Sequence, residues 1–568
     1  MIVEIEKNTI RHLFERAIKE HSNLPSVAFS GGRPLSYEEL GVRVMGLGAD
    51  LCRAHIQAGD RVAILGDNSP NWVIAYLAVT TIGAVAVPIL PGFPDSDIRH
   101  ILRDSECKAA FIDDKKRSVL DDPSGNKLAV VYSLEDFSMT RLKPSFSDYI
   151  ENLLLQIKDR VKGEPADEDI YRAIKGPEPE DLAAIIYTSG TTGHSKGVML
   201  THNNIASDVV NGIEKFPIDS NDRFLSILPL SHTFEATGGM LCPLSAGVSI
   251  YYMKGLPTPQ KLIGAMQTVR PTGVLTVPLV MDKIYRKRIL PKFENSPVLR
   301  RLYSRPWFRK RLNKTAGRKL VQSLGGRLRF FMFGGAALNP DVELFLQEAG
   351  ISYSTGYGMT ETSPIITINP FGQVRVGSCG QPIPGIEMKI HQPDPETGVG
   401  EICVKGPIVM KGYYHNQEAT DEVFLEDEWL RTGDLGIFDE EGYLFIRGRS
   451  KNVIVGPNGE NIYPEIIEQK LMQTPCIQEC VVFQHQEQLI AKVYLDQDQI
   501  DERISAEHTA AEDQNRLMQT IVEEARQAVN AQFPAFSKIQ KMEIYPEPFE
   551  KTPTNKVKRY LYIPSSDE

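Results

Sequence analysis

From Asn68 to Pro94 the chain contains no Asp, Glu, Lys or Arg. A stretch of that length, centred on WVIAYLAVTTIGAVAVPIL, has two physical homes: the hydrocarbon of a bilayer or the interior of a large folded core. Gly83, Pro88 and Pro91 decide between them, because they end a helix well before the roughly 20 residues a crossing needs. The pattern predicts a buried helix over 70–82 and a buried strand over 84–89. A strand apolar on both faces belongs to a parallel sheet with helices packed on each side. Such a sheet needs a large domain, and 568 residues supply one, with room for three or four units of about 150 residues. Apolar residues at 42% and charged residues at 24% describe a globular chain and exclude disordered, collagenous and disulfide-stapled classes.

The rest of the chain alternates helical and strand patterns, which favours α/β layering. Ile10, Leu13, Phe14, Ala17 and Ile18 form a helical stripe. AAIIY (183–187) and LRFFMF (328–333) are short buried strands. The second runs into Gly334-Gly335, then Asn339 and Pro340 as cap and first turn of a helix, Gly350 as its stop, and a strand at 351–354. That β-loop-α-β order makes part of the sheet parallel. No internal repeat or low-complexity tract occurs. Beyond 443 the texture changes. Two strands flank a basic turn within 443–456, a helix runs from Pro464 to about Leu471, and strands follow at 479–484 and 488–495. A long helical stretch extends from about 507 to 531. This is a small α+β unit with its boundary near Arg449–Lys451.

The net charge of −10 argues against a nucleic-acid coat over the whole surface. Seven cysteines without a C-x-x-C pair give neither a zinc framework nor a disulfide scaffold. Cys476 and Cys480 read as neighbouring structural thiols. A reducing, cytoplasmic setting fits, and Glu4 and Glu6 interrupt any signal-peptide pattern at the N-terminus. One segment stands apart: 283–329 holds sixteen Lys/Arg against the single acid Glu294, with Trp307 and Phe308 in its midst.

The strongest chemical signal is Tyr187-Thr-Ser-Gly-Thr-Thr-Gly-His-Ser-Lys-Gly-Val198. Thr188, Ser189, Thr191, Thr192 and Ser195 supply hydroxyls, Gly190, Gly193 and Gly197 allow close backbone approach, and Lys196 supplies charge. That density of donors suits phosphate. It is not a Walker A loop, since Ser195 and Gly197 stand where Gly and Ser/Thr are required. In addition, GVMLT (197–201) reads as a strand, with its helix only after Thr201.

The segment resembles the phosphate loop of the adenylate-forming (AMP-binding) enzymes, a superfamily that includes acyl-CoA synthetases, peptide-synthetase adenylation domains and luciferases. Four further segments resemble the family's motifs in family order: Tyr357-Gly358-Met-Thr360-Glu361, Thr432-Gly-Asp434, Gly448-Arg449-Ser-Lys451 and Pro553-Thr-Asn-Lys556-Val-Lys-Arg559. The resemblance covers nearly the whole chain. It implies an α/β fold with a large multi-sheet N-terminal domain (1–448) for ATP and the acyl substrate. It also implies a small mobile α+β C-terminal domain (449–568), hinged near Lys451.

The resemblance also implies roles. Residues 189–193 and Lys196 would cradle phosphates, with Thr188 and Glu361 associated with Mg²⁺ and Thr360 with phosphate. Tyr357 offers a flat face for adenine, beside Gly358 and the segment Gly334-Gly335-Ala336. Asp434 would accept from the ribose hydroxyls, with Arg449 on the hinge side, and Lys556 would be the catalytic lysine. The usual Gly before that lysine is Asn555 here. His232, in LPLSHTFE (228–235), resembles the gate of the acyl pocket.

The implied reaction is attack of a carboxylate on the α-phosphorus of ATP, followed by transfer of the acyl group from the adenylate to coenzyme A. LPLSHTFEATGG and the basic 283–329 segment point towards long-chain fatty acyl-CoA synthetases. The basic segment suggests peripheral contact with anionic lipid on the inner membrane face. Three readings compete: a ligase loading acyl carrier protein, a luciferase-like oxygenase and a silent lipid-binding protein.

Overall fold

The computed structural model describes residues 7–121, 127–142, 166–188, 195–255, 258–294, 296–456, 460–507, 513–552 and 556–564. Two compact units are present, and the division falls at Leu430/Arg431. The first unit comprises residues 1–190, 194–388 and 404–430; the second comprises 191–193, 389–403 and 431–568.

The charge-free run is core. Pro70–Thr81 is a helix capped by the Ser69 hydroxyl, and every residue from Trp72 to Thr81 is buried. A helix covered all round needs no amphipathic stripe. Trp72 stacks on Tyr76 with ring centroids 5.4 Å apart. Burying each large side chain of this kind contributes about 1.5–3 kcal/mol. Val85–Ile89 follows as a strand buried along its whole length. It pairs in parallel with Arg61–Leu65 on one side and Leu182–Thr188 on the other. Among the described residues, no helix is long and apolar enough to cross a membrane.

The first unit contains two eight-stranded sheets. One has five parallel strands, ending on the 182–188 side with antiparallel Lys196–Thr201 and then Gly412–Tyr413. The other runs in parallel from Val27–Phe29 to Ser352–Gly358, then turns antiparallel at Ile365–Ile368. Within it, Phe330–Phe333 and Ser352–Gly358 pair in parallel across the helix Pro340–Ala349. Asn339 caps that helix, and Gly350 closes it in the left-handed region at φ 71°.

The second unit contains a hairpin of Leu430–Phe438 with Leu444–Arg449. It also contains a three-stranded sheet, Ile477–His485, Gln488–Leu495 and Lys541–Ile544. Helices Pro464–Gln473 and Gln514–Asn530 share a core with that sheet. The expected single helix over 507–531 differs from what is found. A separate helix occupies Gln497–Glu507, and the later one starts at Gln514. The first of the two is weakly amphipathic and polar, so its stripe is hard to read.

The basic segment 283–329 is helical, and its charges are not equivalent. Arg309 donates from Nε and Nη2 to the Glu348 carboxylate at 2.9–3.1 Å. Arg329 pairs with the buried Asp222 at 2.8 Å, and Arg286 with Asp282 at 3.1 Å. These three fasten helices and strands. On Pro306–Ser323, Asn313 and Gly317 face the core. Trp307, Arg311, Lys314 and Arg318 lie on the opposite face and are exposed. Arg311 sits 4.0 Å from the centre of the Trp307 ring.

Candidate functional site

Strands Leu182–Thr188 and Lys196–Thr201 pair antiparallel, and their last register pair is Thr188 opposite Lys196. The hairpin therefore presents the two ends of the 189–194 loop side by side. Ser189, Gly190, Thr191, Thr192 and Gly193 lie outside the described residues. The entering end is anchored by the Tyr187 hydroxyl, which donates to Asp104. Gly197 is required because a Cβ there would meet the Ile185 side chain at 2.9 Å and the Tyr187 ring at 3.0 Å. The leaving strand runs to Thr201, whose side chain and Asn204 form a reciprocal cap on helix His202–Lys215. This is the strand-before-helix order that the sequence separates from a Walker A loop.

The strand Ser352–Gly358 carries Tyr357 to its end. Gly358 has no room for a side chain, because a Cβ would lie 1.7 Å from the Pro364 carbonyl oxygen. Thr360–Thr362 forms a single tight helical turn. Hydroxyls lock it: Thr362 donates to the carbonyls of Met359 and Pro364, Ser363 to Ile408, and Thr237 to Ser363. Glu361 is thereby buried with its carboxylate held in place.

A residue that the sequence reading missed joins these two motifs. Tyr413 pairs with Val198 on the strand leaving the loop, and its hydroxyl donates to Glu361 Oε1 at 2.9 Å. The Lys196 ammonium lies 5.1 Å from the centre of the Tyr413 ring, within cation–π range. Burial and the neighbouring Glu361 carboxylate push the Tyr413 phenol up, so it stays a donor. Gly412-Tyr413 carries no sequence signal beyond a glycine before an aromatic, and only strand pairing reveals its role.

Glu361 and Thr188 offer hard oxygens of the kind Mg²⁺ takes alongside phosphates. Among the described residues, no group of three or more His, Cys, Asp and Glu is placed to hold a metal by itself. These two oxygens suit a cation that takes its other ligands from a polyphosphate.

Gly334, after strand Phe330–Phe333, packs beneath the Phe234 ring, where a Cβ would approach to 2.9 Å. Gly335, at φ 83°, and Ala336 are exposed beyond it. His232 precedes a buried wide-turn helix, Glu235–Leu241, and its Nδ1 accepts from the Phe234 backbone N–H at 3.2 Å.

In the second unit, Asp434 and Arg449 face each other across the hairpin. Arg449 Nε lies 3.1 Å from Asp434 Oδ1. The Asp434 backbone N–H donates to the Thr432 hydroxyl at 3.1 Å, and the Ser450 hydroxyl donates to the Gly433 carbonyl at 3.1 Å. Lys451 follows in a short helical turn, Ser450–Asn452. Lys556 is exposed: the Thr552 N–H donates to its carbonyl at 2.8 Å, and Lys551 and Val557 form an antiparallel bridge. Lys551, Lys558 and Arg559 pair with Glu479, Glu550 and Glu468. The site residues thus form two groups. Thr188, Lys196, Tyr357, Thr360, Glu361 and His232 belong to the first unit, and Asp434, Arg449, Lys451 and Lys556 to the second.

Residues 14–414 match the family described as AMP-binding enzyme, and residues 451–563 match the AMP-binding enzyme C-terminal domain. The chain belongs to the AMP-binding enzyme family. Among curated relatives, long chain acyl-CoA synthetase 7 (peroxisomal) of Arabidopsis thaliana is 29% identical, covering 92% of this chain and 79% of its own length. Long-chain-fatty-acid–CoA ligase FadD15 of Mycobacterium bovis is 30% identical, covering 78% and 73%. Among solved structures, ATP-bound MatB of Rhodopseudomonas palustris is similar at TM-score 0.71 and 25% identity, covering 97% of this chain and 98% of that one. The anthranilate CoA ligase AuaEII, in complex with anthranoyl-AMP, shares the fold at TM-score 0.74 and 20% identity, covering 97% and 96%. This AMP-binding enzyme thus shares its fold with other adenylate-forming ligases.

Proposed function

We propose that this AMP-binding enzyme is an ATP-dependent long-chain fatty acid–CoA ligase. The observation that carries the reading is the chain Lys196–Tyr413–Glu361. It joins the strand leaving the phosphate loop to the turn that holds the carboxylate. The relatives named long-chain acyl-CoA synthetases support the choice of acid and acceptor.

In the first step a carboxylate oxygen of the fatty acid attacks the α-phosphorus of ATP, and the bond to pyrophosphate breaks. Both reactants are anions, so the protein's contribution is positioning and charge neutralisation. Lys196 and the 189–193 loop hold the phosphates, and Thr360 donates to them. Glu361 and Thr188 would hold Mg²⁺, which would supply positive charge beside the phosphates. Asp434 accepts from the ribose hydroxyls with Arg449 beside it, and Tyr357 and 334–336 border the adenine. Lys556 supplies charge at the α-phosphate. In the second step the thiolate sulfur of coenzyme A attacks the acyl carbon, giving the thioester and releasing AMP. No protein nucleophile is needed. Residues 449–568 reorient about Lys451 between the steps, and His232 gates the acyl pocket. The exposed Trp307–Arg318 face rests on anionic lipid, from which long-chain acids partition.

A screen of pyrophosphate release over acids from acetate to oleate tests this reading, with coenzyme A or acyl carrier protein as acceptor. The expected optimum is a long-chain acid with thioester formed on coenzyme A. An optimum at a short or aryl acid overturns the substrate, and transfer only to carrier protein overturns the acceptor.

A further inference from the structure

Glu235 is 1% exposed, in the heart of the first unit. Burying a carboxyl there is costly unless it is neutral or paired. The space for it is built: Gly239, one turn on, leaves the volume that the carboxyl occupies, since a Cβ there would lie 2.6 Å from its carboxyl carbon. Ser226 lies beside the carboxyl and favours its charged form. Ser226 in turn accepts from the Asn68 amide at 3.0 Å. The same Asn68 amide donates to the Leu228 carbonyl at 2.6 Å, and its oxygen accepts from the Leu230 N–H at 2.8 Å. Asn68 thus reaches from the start of the charge-free run to hold the loop after strand Arg223–Ser226 at three points.

We propose that the buried chain Asn68–Ser226–Glu235 is a positioning device for the 227–234 loop, fixing His232 and thereby setting the enzyme's grip on its acid substrate. The proposal rests on reading His232 as part of the acyl pocket. Glu235 Oε2 and the hydroxyls of Ser231, Thr233, Tyr252 and Thr276 have no hydrogen-bond partner among the described residues.

The device is sensitive to one proton. Burial pushes the Glu235 carboxyl up to about 8. The titratable groups packed around this segment are Tyr252 and, beyond it, Tyr37. Cys242 and Asp208 lie on the side of helix His202–Lys215. All four are acids, and His232 itself stands three residues upstream. Loss of the Glu235 proton leaves a bare charge in the core, and the loop yields.

The test uses the first half-reaction, with pyrophosphate release and hydroxylamine trapping of the acyl-adenylate, so that ionisation of the coenzyme A thiol does not enter. Between pH 6.5 and 9.5 the KM for palmitate is expected to rise above pH 8, approaching tenfold per unit for a single titrating group, while the KM for ATP stays flat. Glu235→Gln, which keeps shape and neutrality, removes that limb. Asn68→Ala raises the palmitate KM at every pH without moving the ATP KM. Hydrogen exchange of the 227–234 amides should quicken above pH 8 in the wild type and not in Glu235→Gln. The proposal is overturned if Glu235→Gln keeps the alkaline limb, or if exchange in 227–234 is indifferent to both substitutions. His232→Ala separates the two levels: an unchanged palmitate KM in that variant sinks the gate reading, while the exchange result still decides the clamp.

Discussion

The Tyr413 hydroxyl donates to Glu361 Oε1 at 2.9 Å, and the same tyrosine ring carries Lys196 on its face. One side chain thus orients an anion and a cation that belong to motifs more than 160 residues apart in the chain. Removing the hydroxyl takes away one of the contacts that orient the Glu361 carboxylate. Tyr413→Phe is expected to raise the Mg²⁺ concentration needed for half-maximal adenylation about tenfold, the equivalent of about 1.4 kcal/mol for a lost bond to a charged group. Glu361→Gln, which removes the charge, should raise it further and leave palmitate binding nearly unchanged. A Mg²⁺ titration indifferent to both substitutions eliminates the metal role.

Lys556 is expected to act on one half-reaction only. Its neighbours Lys551, Lys558 and Arg559 pair with carboxylates. Lys556→Ala should cut acyl-adenylate formation at least a hundredfold, about 2.7 kcal/mol in transition-state stabilisation. Thioester formation from pre-formed acyl-AMP should survive. Equal losses in both steps would make the lysine structural. Arg559→Ala provides the contrast, lowering the stability of the second unit because it strands the buried Glu468.

Glu343 gives a prediction about pH and stability. It is 1% exposed on helix Pro340–Ala349 and accepts from the Gly377 N–H at 2.8 Å. Burial pushes its carboxyl up to about 7, above the 4.3 or so of an unfolded chain. Below about pH 4 both states hold the proton. As pH rises from there to 7 the unfolded state releases it while the native state keeps it. Stability is therefore lost across that window, by up to roughly 3 kcal/mol. Glu343→Gln should abolish that slope, so its advantage over wild type in urea midpoint grows from pH 5 to pH 7. Parallel profiles would show that the carboxyl ionises freely in the fold.

The sequence makes the fold class legible because burial writes itself into composition. The charge-free 68–94 run is a covered helix and strand, and Asn339, Pro340 and Gly350 mark the ends of a helix by local chemistry alone. Thr188, Lys196 and Glu361 stand out in the sequence as candidates because phosphate and cation chemistry concentrates donors in short segments. Tyr413, Asn68 and Glu235 do not, since each acts through a partner far along the chain that only strand pairing supplies. Motif order places a domain boundary at 448/449, while the compact units divide at Leu430/Arg431 because the hairpin Leu430–Phe438 with Leu444–Arg449 brings Asp434 to Arg449. The charge run was legible as charge but not as structure: nothing in 283–329 distinguishes Arg309, bound to Glu348, from Arg311.

That distinction sharpens the last prediction. Helix Pro306–Ser323 turns Asn313 and Gly317 to the core and Trp307, Arg311, Lys314 and Arg318 to the opposite side, where Trp307 is 58% exposed. A cationic face with an aromatic at its end suits an anionic lipid surface, each Lys or Arg there contributing about 1 kcal/mol within a Debye length of about 8 Å at physiological salt. Changing Arg311, Lys314 and Arg318 together to Gln removes about 3 kcal/mol by that count, roughly a hundredfold in partition. Flotation with phosphatidylserine vesicles at 0.1 M salt should therefore be largely lost in the triple variant, and in the wild type at 0.5 M salt. Arg309→Gln is the control. It breaks the bond to Glu348 and should lower stability while leaving flotation of the folded protein intact. If the triple variant floats as the wild type does, the face is merely solvated and the membrane contact is wrong.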